Sequence, residues 1–163
     1  MFYFTAKPVV VKGKQKTYKV VDHPGGAGIL AVRGEEILLV EQFRPAVGKT
    51  ILEIPAGIID PGETPLAAAQ RELLEETGFT AGKWSSLGKV YATPGYSSET
   101  IHLFLAEELH PGEQQLDDGE DIAVRTVAIS DFLRLLETDQ VHDAKTVIAF
   151  LRYILRQGWD SGA

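Results

Sequence analysis

The chain is predicted to turn from a strand into a helix within the stretch Gly57-Ile58-Ile59-Asp60-Pro61-Gly62-Glu63. Seven residues separate this stretch from Arg71-Glu72-Leu73-Leu74-Glu75-Glu76-Thr77-Gly78-Phe79. A helix is predicted over Pro65–Thr77, because apolar residues recur there at helical spacing. Thr64 is placed to cap its N-terminus, Pro65 occupies the first helical position, and Gly78 stands just beyond its end. One stripe of this predicted helix, expected beside the core, consists of Leu66, Ala69, Leu73 and Thr77.

Three acidic side chains share one face of this predicted helix. At about 100° per residue, Glu72, Glu75 and Glu76 fall within an arc of about 100°. Like charges at these spacings destabilise a helix by roughly 0.2–0.5 kcal/mol per pair, and the C-terminal end of a helix disfavours anions. A divalent cation would reverse both effects. Carboxylate oxygens without sulfur or clustered imidazole are the ligands expected for Mg²⁺ or Mn²⁺.

The same acidic run has a simpler interpretation, a solvated helix face on which Arg71 pairs with Glu75 at i+4. For an isolated run of this kind, that interpretation is the better one. The preceding loop, 57–63, favours the metal site instead, because its glycines and proline bend the chain tightly from strand into helix. Such a turn would let the backbone carbonyl of Ala56 face the acidic stripe.

The composition is that of an ordinary globular domain. The chain has 163 residues, 44% of them apolar, and a formal net charge of -7. The absence of cysteine excludes disulfides, thiolate nucleophiles and thiolate metal sites. Acidic side chains outnumber basic ones by 23 to 16 and the basic ones are scattered, which argues against nucleic acid as a partner. No apolar stretch is long enough to cross a membrane, and Met1–Lys19 lacks the apolar block of a secretory signal, so a cytoplasmic protein is expected.

The order of the predicted elements indicates an α/β or α+β sandwich. Weak alternation in Met1–Val21 predicts an N-terminal β-hairpin with strands at Val9–Val11 and Tyr18–Val21. Residues 1–22 are assigned to this hairpin and 23–163 to one domain. The other predicted strands are Gly28–Val32, Ile37–Phe43, Ile51–Ile54, Gly88–Ala92, Thr100–Ala106 and Ile122–Ile129, and the other predicted helices are Ser130–Glu137 and Asp143–Gln157.

The spacing within 57–79 resembles the Nudix box at every specified position. The chain is also similar to the ADP-ribose pyrophosphatase subfamily, in which a proline commonly follows the box; here Pro94 stands fifteen residues after Phe79. The segments 42–45 and 53–57 add to this similarity. The resemblance implies a Nudix-type α/β/α sandwich with a mixed sheet, and metal-dependent hydrolysis of a nucleoside diphosphate. The matching positions are Gly57, Glu63, Arg71, Glu72, Leu73, Glu75, Glu76, Gly78 and Phe79.

The resemblance also implies roles for individual residues of the motif. Glu72 and Glu76 would be the principal metal carboxylates, the Ala56 carbonyl a further ligand, and Glu75 a ligand or an acid beside the ligands. The implied metal is Mg²⁺ or Mn²⁺. The remaining motif residues would support the loop and the helix, and these are Gly57, Glu63, Arg71 and Gly78.

In the subfamily a further acid, from a loop far along the chain, completes the site as ligand or general base. The matching segment here is Asp117–Ile122, and Glu120 is our choice within it. Together with Glu75 and Glu76, it makes up the set of candidate catalytic residues. Relatives often have a glutamate at the position of Asp118, so we assign Asp118 no role. Without the motif, this loop would be interpreted as a solvated acidic turn.

Four residues are candidates for contact with the substrate. Arg44 can pair with a diphosphate oxygen through its planar guanidinium, and Glu99 can bind a ribose hydroxyl or orient water. Tyr18 or Tyr96 can stack on adenine. The simpler alternatives are a surface arginine at a strand end and tyrosines that belong to a core or a subunit contact.

The hypothesis that follows is metal-assisted hydrolysis of ADP-ribose to AMP and ribose 5-phosphate. An alternative substrate is another nucleoside diphosphate sugar or a dinucleoside polyphosphate, since Tyr96 lies near a tyrosine seen in dinucleotide-cleaving relatives. A second alternative is a non-catalytic regulator that senses ADP-ribose, although such proteins tend to have damaged boxes and a basic winged helix, and this chain has neither.

A homodimer is the predicted assembly. The N-terminal hairpin has too little apolar area to stand alone, and a closed two-fold pair is the commonest oligomer. The resemblance points the same way, because the N-terminal strands of related enzymes pack on the partner subunit and contribute to its substrate pocket.

Overall fold

The computed structural model describes residues 3–116 and 119–158, and these residues form an α+β fold with a mixed sheet and three helices. The predicted fold class is therefore confirmed. The strands are β1 (Tyr3–Val11), β2 (Lys14–Asp22), β3 (Gly26–Arg33), β4 (Glu36–Arg44), β5 (Lys49–Glu53), β6 (Ala56–Ile58), β7 (Phe79–Tyr91), β8 (Thr100–Pro111) and β9 (Ile122–Ala128). The helices are α1 (Pro65–Thr77), α2 (Ile129–Glu137) and α3 (Ala144–Arg156).

Strand β3 lies at the centre of the main sheet, whose order is β5-β4-β3-β8-β7. It runs antiparallel to β4 and parallel to β8, while β6 also pairs with β3 and β9 with β4. All but the last residue of β3 are buried. A strand covered on both faces needs apolar or small side chains throughout, which explains why this segment is a continuous apolar run without alternation.

Helices cover the two faces of this sheet. Ala27, Ile29 and Ala31 of β3 pack in one apolar cluster with α1, whereas Leu30 and Val32 pack in a second cluster with α2 and α3. This alternation follows from the two-residue period of a strand. The result is the α/β/α sandwich that the resemblance implied.

Helix α1 begins and ends where its sequence predicts. The Thr64 hydroxyl accepts a hydrogen bond from the Ala67 amide (3.2 Å), and Gly78 adopts the left-handed conformation (φ 72°) while its amide donates to the Leu74 carbonyl (2.8 Å). Gly78 is required for a second reason, because a Cβ there would lie 2.9 Å from the amide nitrogen of Gln114.

The structure corrects one strand prediction and adds one strand. The strand predicted at Gly88–Ala92 is only the end of β7, which begins at Phe79, ends at Tyr91 and pairs with β8 along its length. The glycines and serines of this segment indicate breaks, but the non-local pairing accommodates them with a register shift between Ser86 and Gly88. The short strand β6 was not predicted at all, because a three-residue strand has no periodicity of its own.

The N-terminal hairpin is longer than predicted and turns more tightly. Its strands pair from Tyr3 and Asp22 to Val11 and Lys14, so the turn is only Lys12-Gly13, both with positive φ. The hairpin forms its own two-stranded sheet, and most of its side chains are exposed. Within the described ranges, no helix is both long and apolar enough to cross a membrane.

Candidate active site

Glu76 is the most deeply buried acid of α1, with 4% of its surface exposed. One of its carboxylate oxygens accepts a hydrogen bond from the Ala56 amide (2.9 Å). Burial raises the pKa of Glu76 to about 8, and the charges of Glu72 and Glu120 act in the same direction. A single backbone hydrogen bond is a small compensation for burying a carboxylate, so the site is electrostatically suited to a cation.

The backbone of Ala56 turns its polar groups toward the helix. In the antiparallel pairing of β6 with β3, the Ile29 amide donates to the Pro55 carbonyl (2.8 Å) and the Ile59 amide donates to the Gly25 carbonyl (3.2 Å). Bonded and non-bonded positions alternate in such a ladder, so Ala56 lies at a non-bonded position. Its amide and carbonyl therefore point away from β3, and the amide reaches Glu76.

Gly57 provides the space that Glu72 occupies. A Cβ built on Gly57 would collide with the carboxylate of Glu72, so no other residue fits here without displacing that group. The Glu72 carboxylate is mostly buried, and this burial raises its pKa, with the charges of Glu75 and Glu120 contributing in the same direction. Glycine at this position thus allows an acid of α1 to lie directly against the strand that precedes the loop.

Arg71 joins the loop to the acidic face. Its guanidinium donates to both oxygens of Glu63 (3.1 and 3.0 Å), to the Ile58 carbonyl (2.9 Å), to Glu72 (2.6 Å) and to Glu75 (2.9 Å). The Glu63 carboxylate in turn accepts from the Asp60 amide (3.1 Å). One guanidinium thus closes the loop onto the helix and compensates three carboxylates.

These contacts also explain why the acids do not form a compact ligand shell. Within residues 3–116 and 119–158, no group of three or more histidine or acidic side chains is close enough to hold a metal ion. Glu72 and Glu75 each turn one oxygen toward Arg71, while Glu76 turns one toward the Ala56 amide. The acids are neighbours, but each has a protein partner.

The segment after β8 brings Glu120 to the acidic face. It docks on the C-terminal end of α1, where the Gln114 side-chain amide donates to the Glu76 carbonyl (2.7 Å) and the Gln115 amide donates to the Glu75 carbonyl (3.0 Å). Both bonds satisfy carbonyls that a helix end leaves unpaired. Glu120 is exposed, yet close enough to raise the pKa of Glu72 and Glu76. Asp117 and Asp118 lie outside the described residues.

A cationic cluster formed by Arg44 and Lys145 lies near Glu76. Arg44 donates through Nε and Nη2 to the two oxygens of Glu53 (2.6 and 3.0 Å), and Lys145 of α3 contacts the same carboxylate. Glu53 is 2% exposed. The influence of both cations extends to Glu76, since Lys145 opposes the rise in the pKa of Glu76 and Glu76 raises the pKa of Arg44. Arg44 is therefore fixed at the end of a strand beside the acids.

The remaining predicted substrate residues lie in the hairpin or beside it, with Tyr96 and Glu99 near its base and Tyr18 in the middle of β2. Glu99 has a carboxylate oxygen 3.6 Å from Nε2 of His23, whose Nδ1 accepts a hydrogen bond from the Gly25 amide (2.9 Å). Tyr96 is exposed, and its carbonyl accepts from the Val21 amide (2.7 Å). Tyr18 is exposed on β2. The structure shows neither tyrosine in a closed pocket.

Sequence reasoning missed several residues that contact the predicted site residues. Glu53, Lys145, Gln114 and Gln115 were given no role, although each contacts a predicted site residue or its backbone. One signal was available for Glu53, a charged residue between Leu52 and Ile54 at the end of an apolar strand. Nothing local marks Lys145, whose contact spans 92 residues.

The family follows from comparison with known proteins. A family model described as the NUDIX domain matches residues 22–150. The chain therefore belongs to the Nudix hydrolase family, whose members typically use a divalent metal, and the resemblance noted from the sequence is confirmed.

Three named relatives are similar to the chain over most of its length. It is 45% identical over 140 residues to the ADP-ribose pyrophosphatase of Bacillus subtilis (strain 168), covering 84% of this chain and 76% of that protein. It is 36% identical, with the same coverage, to the methanol dehydrogenase activator of Bacillus methanolicus. It is 32% identical over 158 residues to the GDP-mannose pyrophosphatase of Citrobacter koseri, covering 89% of this chain and 79% of that protein.

A solved structure supports the fold. The crystal structure of an ADP compounds hydrolase matches with a TM-score of 0.82, covering 97% of this chain and 89% of that chain at 24% sequence identity. At this identity the match shows the shared fold.

Proposed function

We propose that this chain hydrolyses ADP-ribose to AMP and ribose 5-phosphate, with Mg²⁺ or Mn²⁺ as cofactor. The reaction is supported by one observation above all, the buried Glu76 beside the charges of Glu72 and Glu120. The substrate is supported by the 45% identity to a protein named as an ADP-ribose pyrophosphatase.

The donor set suits a hard divalent cation. Glu72 and Glu76 offer carboxylate oxygens, Ala56 offers a carbonyl that points away from its ladder, and Glu75 is a further ligand or an acid beside the ligands. Burial, together with repulsion from neighbouring acids, raises the pKa of Glu72 and Glu76, and a bound cation would favour their charged forms. When bound, the metal would neutralise diphosphate charge and stabilise the leaving phosphate.

The chain's own residues position the reacting groups. Glu120 takes the proton of the attacking water or orients that water, since it lies on an exposed loop at the edge of the acidic face. Glu75 and Glu76 complete the catalytic set. Arg71 and Glu63 hold the loop to the helix, so the carboxylates keep their places as the substrate arrives.

Substrate binding is assigned to residues flanking the acids. Arg44 binds a diphosphate oxygen through the N–H groups that its bond to Glu53 leaves unused, and Glu99 binds a ribose hydroxyl. Tyr18 or Tyr96 stacks on the adenine, which requires a rigid aromatic surface accessible to the ligand.

The assembly that suits the hairpin is a homodimer. The described hairpin side chains are exposed or half-buried, including the large apolar residues Phe4 and Val10, and a two-stranded sheet of this kind is marginal by itself. Packing of the hairpin on a second subunit would cover these side chains and carry Tyr18 toward the neighbouring site.

The proposed function is tested by product analysis on a panel of ADP-ribose, GDP-mannose and diadenosine polyphosphates with Mg²⁺ or Mn²⁺. We expect ADP-ribose to have the highest kcat/KM, with AMP and ribose 5-phosphate formed in equal amounts. A higher kcat/KM for GDP-mannose would overturn the substrate, and cleavage of none of the compounds would favour an ADP-ribose-binding regulator. Enzyme treated with a chelator is the control, since turnover in its presence would contradict the metal.

A further inference from the structure

Glu53 is an acid whose carboxylate is shared by two cations of different accessibility. Arg44 holds both oxygens in a fork, and its side chain is 39% exposed. Lys145 contacts one of the same oxygens, but its side chain is only 10% exposed. Arg44 reaches this buried carboxylate from the end of β4, and Lys145 reaches it from the first turn of α3.

The ammonium of Lys145 is fixed by the start of α3. Asp143, the N-cap residue, lies 3.1 Å from it and also accepts from the Thr146 amide (2.9 Å). The Thr146 hydroxyl accepts from the Ile54 amide (2.8 Å), which ties this helix end to the residue that follows Glu53. The contacts at the start of α3 therefore fix the position of Lys145, whereas the contact with Glu53 fixes the position of the Arg44 guanidinium.

The difference in accessibility decides what each cation can do. A largely buried ammonium held by two carboxylates is not available to a ligand, whereas a bidentate pair leaves the Nη1 group of Arg44 outside the contact with Glu53. With Lys145 removed, the carboxylates of Glu53 (2% exposed) and Asp143 (16% exposed) would lose the cation that lies between them, and both would attract the guanidinium of Arg44. Arg44 would then be drawn toward Asp143 as well as Glu53, away from any anion in solution.

We propose that Lys145 is a positioning residue that, through the shared carboxylate of Glu53, holds the guanidinium of Arg44 in place to bind the diphosphate of the substrate. This inference rests on the proposed function, because it takes Arg44 to be the diphosphate-binding group. Lys145 itself does not touch the substrate.

The test is a double-mutant cycle on Lys145 and Arg44. Lys145→Met, Arg44→Gln and the double variant are compared by the Kd for ADP-ribose in a chelating buffer, measured by calorimetry, and by KM and kcat with Mg²⁺. We expect Lys145→Met to raise Kd and KM about tenfold, which corresponds to about 1.4 kcal/mol, with kcat changed less than threefold. In the Arg44→Gln background, Lys145→Met should have little further effect, because the group it positions is already absent.

Two further variants separate positioning from general destabilisation. Lys145→Arg should restore most of the binding, since it keeps a cation against Glu53, and Lys145→Gln serves in place of Lys145→Met if that variant does not fold. Lys83→Met is the matched control: it breaks a lysine–glutamate pair at the surface, with Glu107 (2.7 Å), and should leave Kd and KM unchanged.

The inference is overturned if Lys145→Met weakens binding by the same factor with and without Arg44, or if it lowers kcat at unchanged KM. This result is distinct from failure of the proposed function. If wild-type protein does not cleave ADP-ribose, the proposed function fails, and the cycle is measured with the panel compound that binds, since each contains at least one phosphoanhydride linkage whose anionic oxygens Arg44 could contact.

Discussion

Two regions of the molecule are rich in charged residues: helix α1 with its preceding loop, and the N-terminal hairpin. Their charged side chains lie in opposite environments. Most acids of α1 are drawn inward, with Glu76 buried and Glu72 laid against Gly57. The charges of the hairpin remain in water, where Lys7 and Asp22 form an exposed pair (3.2 Å). Burial of a carboxylate costs stability, so the buried acids of α1 need a further reason for their position, whereas the solvated charges of the hairpin need none.

The glycines of the two regions make the same contrast. Gly57 has a carboxylate in the space that a Cβ would fill, whereas Gly13 at the hairpin tip has nothing within 4 Å but a φ of 72°. The first glycine serves the position of another side chain, and the second serves only its own backbone. The backbone around α1 thus makes room for the side chains of the candidate site, whereas the hairpin glycine only allows a tight turn at an exposed surface.

The largest effect should come from the buried acids. Glu76→Gln and Glu72→Gln should each lower kcat by at least about 10², as expected when one preorganised electrostatic group is lost. The metal-free protein should remain folded, because both carboxyls are poorly suited to ionisation where they lie and glutamine stays neutral there. The control is Glu137→Gln on an exposed position of α2. Near-parental turnover with normal metal binding in either site variant would remove that residue from the metal site.

The next effect concerns the loop acid. Glu120→Gln should lower kcat more than it weakens ADP-ribose binding, since an acid that acts on water contributes chiefly in the transition state. Steady-state kinetics and calorimetry on the same variant separate the two quantities. A raised KM at unchanged kcat would give Glu120 a binding role. If Glu120→Gln kept the wild-type kcat while Asp118→Asn lost almost all of it, Asp118 would be the loop acid instead.

Substitution of Gly57 should affect activity more than stability, whereas substitution of Gly13 should affect stability more than activity. Gly57→Ala should lower kcat/KM about tenfold or more with little loss of stability, because the displaced group is the flexible end of Glu72. Gly13→Ala should lower the free energy of unfolding by about 1 kcal/mol through its positive φ and leave kcat/KM unchanged. Chemical denaturation and steady-state kinetics provide both readouts. Equal activity losses in the two variants would contradict the contrast drawn here.

The smallest effect on chemistry is expected from the hairpin. Deletion of residues 1–21 should convert a homodimer to a monomer and weaken ADP-ribose binding several-fold, while α1 and Mn²⁺ binding remain intact, because no residue of the acidic site is removed. Sedimentation velocity and calorimetry measure these properties. If the full-length protein sediments as a fully active monomer at micromolar concentration, the hairpin is an edge of its own domain.

The sequence by itself determined α1 and the identity of the acidic face. The helix signals are local, with Thr64, Pro65 and Gly78 all within one residue of its ends, and local signals survive any tertiary arrangement. The positions of Glu72, Glu75 and Glu76 follow from the helical repeat alone. The fold class followed from the order of elements, and the family from the spacing of the motif.

Tertiary structure alone decided the long pairing of β7 with β8, the burial of Glu76 and the partners of the site. Glu53 meets Arg44 across 9 residues and Lys145 across 92, and the amides that hold the end of α1 come from beyond β8. No local pattern encodes such contacts, because they depend on which strands are neighbours in the sheet and which helix covers them. The motif and its helix can therefore be predicted from the sequence, whereas the placement of the charged side chains depends on long-range packing.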